Sequence, residues 1–120
     1  MASKDSTWQK LTVKPWILLA FLVACEQGGG KGTNGAELYQ SLCATCHGPK
    51  GKPSEVMVAR LAVKDLTSQE LRARITPALV EAQVRTGSKN KLMPSFTGAM
   101  SDDQIKAVAA YVSSAEFLAK

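Results

Sequence analysis

The chain's single histidine, His47, closes the segment CATCH, directly after Cys46 and one turn past Cys43. Three chemistries use residues of these types so close together. A structural zinc site takes four ligands, usually cysteines and histidines. Here only Cys43, Cys46 and His47 cluster, the third cysteine, Cys25, lies far upstream, and a histidine abutting Cys46 would crowd a tetrahedral site. Thiol–disulfide exchange needs a thiol whose pKa is lowered, commonly by a helix N-terminus. The pair falls instead near the C-terminal end of an expected helix, where the dipole disfavours a thiolate, and no βαβ pattern surrounds it. The third chemistry is attachment of a c-type haem, for which C-x-x-C-H is the recognised motif. Cysteines at i and i+3 share one side of a helical turn. They can form thioethers to two vinyl groups along one porphyrin edge, and the next residue is then held over the iron as an axial ligand. This reading uses all three residues.

Helices must carry these groups, and their starts are legible. In NGAELYQSLCATC, Asn34 is a natural N-cap with Glu37 at the third position. In LTSQEL, Thr67 is expected to cap, with Glu70 three residues on and Leu66 and Leu71 as a hydrophobic staple. TPALVEAQVRTG has Thr76 as cap, Pro77 in the first turn and Gly87 as stop. MSDDQIKAVAAYV has Ser101 as cap, Gln104 at N3, Asp102 and Asp103 in the first turn, and a stripe of Ile105, Val108, Ala109 and Val112. No strand of more than a few residues presents itself. The expected fold is all-α, a bundle of about four helices, with long loops over residues 48–65 and 88–99.

The front of the chain is of another kind. A polar segment with Lys4, Lys10 and Lys14 precedes a short apolar run over residues 16–24, then Cys25. Nine apolar residues make a helix of only about 14 Å, and a bilayer core needs about 20. The pattern is that of an export signal. LVAC, ending at Cys25, resembles the lipobox of bacterial lipoproteins. That resemblance implies cleavage after residue 24, a lipid on Cys25, and an exported chain anchored on the periplasmic side of a bacterial membrane. The glycine-rich residues 25–33 are then a tether; eight such residues reach about 16 Å. The formal charge of the whole chain is +5. Without Lys4, Lys10, Lys14 and Asp5, the remaining 96 residues hold twelve basic and nine acidic side chains, too mild an excess to indicate nucleic acid. Both tryptophans, Trp8 and Trp16, leave with the signal. A domain of this size with few large aromatics has a thin core and suits a cofactor as its filling.

Residues 34–120 resemble the small monohaem class I cytochromes c. GAELYQSLCATCHG is similar to that family's first helix and haem motif, LMPSF to its distal loop, and MSDDQIKAVAAYV to its closing helix. The resemblance implies one covalent haem c on Cys43 and Cys46, with axial iron ligation by His47 and Met93, the methionine before proline. It also implies that Gly35, Tyr39 and Tyr111 pack where the first and last helices cross. Two other methionines compete as the sixth ligand. Met100 directly precedes the Ser101 cap and can staple against Ile105. Met57 lies only ten residues past His47, in a loop expected on the histidine's side of the porphyrin. Met93 is held extended by Pro94, which suits a side chain aimed at a metal. The family commonly uses a proline about twelve residues past the histidine to supply a carbonyl to the imidazole. Here Ala59 stands at that place and its carbonyl is expected to do the same.

Ligation by one imidazole and one thioether leaves no open coordination site and favours ferrous iron. The expected function is therefore one-electron transfer in a bacterial respiratory or photosynthetic chain, without enzymatic turnover, by a monomer that meets membrane-bound or periplasmic redox proteins. Lys50, Lys52, Arg85, Lys89 and Lys91 flank the two haem-contacting loops and could steer acidic partners. Three alternatives stay open: a relay subunit of a periplasmic dehydrogenase or reductase, a haem sensor of CO or NO in which Met93 lets go, and an apo lipoprotein whose C-x-x-C-H is accidental.

Overall fold

The computed structural model describes residues 32–119, so the expected signal segment, Cys25 and the expected tether up to residue 31 lie outside the described residues. Side chains set most helix starts. The Asn34 side chain accepts from the amides of Ala36 and Glu37, opening α1 (Gly35–Leu42). Cys43 stays in the right-handed region but with a stretched φ of −113°, which interrupts the regular helix, and a short α2 (Ala44–His47) follows. The single expected helix is thus broken at the first cysteine of the motif. Helix α3 (Glu55–Leu61) occupies what was expected to be loop. Ser54 caps it by accepting from the Met57 amide. Its stop carries no glycine: Ala62 takes the left-handed conformation at φ 51°. β-branched Val56 and Val58 further weaken its sequence signal.

The cap of α4 (Gln69–Arg72) is Ser68, one residue later than expected. The reason is competition. Both the amide and the hydroxyl of Thr67 donate to Asp65 Oδ1, at 2.8 and 2.6 Å, which turns the hydroxyl back toward Asp65, and Ser68 Oγ accepts from the Leu71 amide in its place. Thr76 and Pro77 open α5 (Pro77–Thr86), and Gly87 ends it at φ 73°, as expected. A complete capping box joins Ser101 and Gln104 at the start of α6 (Asp102–Ser113). A 3₁₀ turn, Glu116–Leu118, closes the described chain. Among the described residues there is no sheet, only an isolated bridge between Thr97 and Met100.

Helix α6 packs against both α1 and α5. Its stripe of Ile105, Val108, Ala109 and Val112 is buried in full, as the periodicity requires. Leu38 and Tyr39 of α1, Val84 of α5, Met100 and Phe117 complete the core. At the α1–α6 crossing, a Cβ on Gly35 would run into the Ala107 carbonyl oxygen and lie 2.7 Å from Tyr111 Cβ. Only glycine permits that approach. Beside it, Phe117 meets Tyr39 at 5.0 Å and Tyr111 at 5.4 Å between ring centroids, both edge to face. Edge contacts of this kind add to burial through the ring quadrupoles.

One anchor has no local sequence signal. The Arg72 guanidinium donates to the carbonyls of Val112, Ser113 and Ser114 at 2.7, 3.2 and 2.9 Å. Those carbonyls end α6 and have no partner further along the helix. A cation there also complements the helix dipole. The same guanidinium lies 5.8 Å from the Phe117 ring centroid.

Candidate cofactor site

The break at Cys43 sets the geometry of the motif. Helix α1 hands over at Cys43, whose amide still donates to the Tyr39 carbonyl at 2.9 Å. The Cys43 carbonyl then accepts from both Cys46 and His47, at 3.2 and 2.9 Å. One turn therefore carries all three groups. Gly48 ends it at φ 80°, where an added Cβ would strike the Lys52 carbonyl. Both cysteines are free and half-buried. Burial, reinforced by Cys46, pushes the Cys43 thiol up to about 11. A redox-exchange pair needs the opposite shift. Among the described residues no three His, Cys, Asp or Glu side chains converge as a metal-ion site.

His47 is half-buried, and its Nδ1–H donates to the Lys64 carbonyl at 3.1 Å. A carbonyl can only accept, so the proton is on Nδ1 and the Nε2 lone pair is left for a metal. Burial lowers the His47 pKa, partly opposed by that hydrogen bond, and the ring is neutral at pH 7. The acceptor corrects the expectation of Ala59. That residue lies within α3, and the chain brings Lys64 to the imidazole after the helix has ended.

The loop around His47 is tied at several points. The Tyr39 hydroxyl donates to the Gly48 carbonyl at 2.6 Å, and Gln40 to that of Pro49 at 2.8 Å. Burial raises the Tyr39 pKa well above its ordinary value. The Leu66 amide donates to the Gly51 carbonyl at 2.8 Å. Gly51 itself is buried, with no room for a Cβ between Phe117 and Thr67.

Met93 is carried by a loop folded back on the end of α5. Its amide donates to Ser88 Oγ and its carbonyl accepts from the Ser88 amide, both at 3.0 Å. Further on, the Phe96 amide donates to the Val84 carbonyl at 3.0 Å. Met93 and Cys43 both pack, half-buried, against the core built on α6. Met100 is in that core and 7% exposed, in keeping with a packing role. Met57 lies on α3, not in a loop.

A porphyrin fits this chemistry. Two free thiols share a turn with a neutral imidazole whose Nε2 is unspent, and a thioether flanks the same core. Leu42 and Leu92, next to Cys43 and Met93, are 44% and 49% exposed and would gain from an apolar cover. A separate shallow cleft at the α1–α6 crossing is lined by Asn34, Gly35, Tyr111 and Ser114 among others; Cys43, Cys46, His47 and Met93 do not line it.

Of the basic side chains expected to face partners, Lys50, Lys52, Lys89 and Lys91 are exposed. Arg85 is a correction. It pairs with Glu81 at 2.8 Å and Asp102 at 2.6 Å, joining α5 to the start of α6. Two bonds join separate segments: the Tyr39 hydroxyl to Gly48 beside His47, and Arg72 to the end of α6. Spacing within one helix could not have marked them.

Residues 30–112 match the family described as cytochrome c oxidase, cbb3-type, subunit III. The cytochrome c6 of Parathermosynechococcus lividus is 37% identical over 79 residues, covering 66% of this chain and 84% of that protein. The cytochrome c-553 of Desulfomicrobium norvegicum is 30% identical over 81 residues, covering 68% and 95%. In three dimensions the chain is similar to the KustC0563 c-type cytochrome, with a TM-score of 0.59 at 25% identity, covering 67% of this chain and 94% of that one.

Proposed function

The chain belongs to the monohaem class I cytochromes c, and on that premise we propose that it carries single electrons at the periplasmic face of a bacterial membrane, with haem thioethers from Cys43 and Cys46, axial ligands His47 and Met93, and a lipid on Cys25. Carriers of this kind bind one covalent haem c and are not enzymes. When bound, the haem supplies a reversible one-electron change at iron. The protein's own residues do the rest. Cys43 and Cys46 fix the porphyrin edge. His47 would offer Nε2 to the iron, because Nδ1–H is committed to the Lys64 carbonyl. Met93 would supply the second ligand from a loop closed on itself by Ser88 and tied to α5 by the Phe96–Val84 bond. Together they leave no place for an exogenous ligand and raise the potential.

The observation that supports the ligation best is the His47 ring: half-buried, neutral, correctly tautomeric and adjacent to two free thiols. The test is CO added to the reduced holoprotein at neutral pH. The spectrum stays unchanged for the wild-type chain and shifts for Met93→Ala, which opens the sixth site. A rapid shift in the wild type would favour the gas-sensor reading instead.

A second reading, a relay subunit of a larger redox complex, draws support from the match to a family described as an oxidase subunit. Gentle detergent extraction separates the two. A carrier comes away free, and a fixed subunit stays with its complex. Exposed Lys50, Lys52, Lys89 and Lys91 suit acidic redox partners, and association through them weakens with salt.

A further inference from the structure

The Lys64 carbonyl that orients His47 lies in a segment with no helix or strand of its own, between α3 and α4. Something must hold it. The next residue, Asp65, accepts two hydrogen bonds on Oδ1, from the Thr67 amide at 2.8 Å and the Thr67 hydroxyl at 2.6 Å. This is an Asx turn, which fixes the backbone direction locally. One residue further, the Leu66 amide donates to the Gly51 carbonyl at 2.8 Å, and Gly51 is wedged between Phe117 and Thr67. The ring closes through the Gly51 amide on the Gly48 carbonyl at 3.1 Å, immediately after His47.

We propose that Asp65 is a positioning residue for the axial histidine: its turn onto Thr67, with the Leu66–Gly51 bond, holds the Lys64 carbonyl against His47 Nδ1 and so tunes the iron. The inference rests on the ligation by His47 proposed above. A well-aligned acceptor makes the imidazole a stronger donor and favours ferric iron. Loosening the turn weakens the Nδ1–H bond and raises the midpoint potential. Asp65 touches neither haem-attachment cysteine, so its effect runs through geometry. Its charge could also act through space, and the two routes separate by substitution. Asn keeps an acceptor oxygen for the turn without the charge, whereas Ala removes both.

The experiment uses the matured holoprotein of D65A and D65N. The potential is read by redox titration, and the exchange of the His47 Nδ1 proton by NMR after 15N-histidine labelling. With one histidine in the chain, the label reports a single ring. D65A is expected to shift the one-electron equilibrium constant toward ferrous by about tenfold, ~59 mV, and to speed Nδ1–H exchange. D65N is expected to move both much less. A D65A change below about threefold in that constant, unaltered exchange, or a D65N change as large as that of D65A overturns the proposal. Should D65A fail to mature, Thr67→Val, which removes one of the two bonds, is read by the same criteria. The two levels of claim fail differently. Histidine signals without a haem ring-current shift in the wild type would sink the ligation itself. Ring-shifted signals with unaltered exchange in D65A would sink only the role of Asp65.

Discussion

Replacing Arg72 with Ala removes one side chain that holds three carbonyls at the end of α6, at 2.7, 3.2 and 2.9 Å. A hydrogen bond to a charged group contributes about 1.5–3 kcal/mol. The three here share one guanidinium and do not add. The Ser113 and Ser114 carbonyls sit in half-buried residues and regain water, whereas Val112 is buried and recovers less. The contact with Phe117 contributes about 0.5–1 kcal/mol more. A net loss of about 2–4 kcal/mol follows. For a domain of this size each kcal/mol moves Tm by about 4–8 °C, so R72A should melt roughly 8–32 °C lower. R72K keeps the charge but not the planar fork, and should recover about half of the loss. The assay is guanidinium unfolding of the holoprotein, followed by far-UV circular dichroism and by the sulfur-to-iron charge-transfer band. Arg72 is bonded to neither proposed axial ligand, so the band should survive in folded R72A. A loss under about 0.5 kcal/mol would refute the view that this guanidinium caps the last helix.

Three further outcomes follow from the same structure. Gly35→Ala drives a methyl into the Ala107 carbonyl and Tyr111; overpacking outweighs the gain in helix propensity, and denaturant midpoints should report a net loss of about 1–2 kcal/mol. Asp65 is held below the usual carboxylate range, first by the Thr67 hydroxyl. Its stabilising contribution is therefore complete above about pH 4 and fades as pH falls through the lowered folded value, so D65N should show a shallower acid limb in denaturant midpoints taken between about pH 3 and 6. Cys25→Ser removes the proposed lipid site, and fractionation should move the protein from the membrane pellet to the soluble fraction. Retention in the pellet would count against the anchor.

What the sequence made legible was local. Asn34, Thr76 and Ser101 each cap the helix they precede, because their acceptors sit within three residues of the amides they satisfy. The buried stripe of α6 was legible for the same reason. Thr67 misled because its hydroxyl is turned back to Asp65, two residues earlier, and the cap passes to Ser68. Helix α3 escaped notice because its stop is an alanine in the left-handed region, where glycine is the usual mark. At the candidate site, C-x-x-C-H identified its own chemistry, and the methionine–proline pair is the local feature on which the proposal of Met93 rests. The Lys64 acceptor depended on how many residues α3 takes up before the chain returns to His47. Arg72 reaches partners 40 to 42 positions away, a pairing that only the folded chain reveals.

The central claim is that this chain is built around one covalently held haem. The most direct measurement is the intact mass and pyridine haemochrome spectrum of the protein purified from a host able to mature c-type cytochromes, with thiol alkylation in parallel. The account predicts a red protein carrying the mass of one haem, with Cys43 and Cys46 both refractory to alkylation. Colourless protein of unmodified polypeptide mass, alkylated at both cysteines, would contradict it.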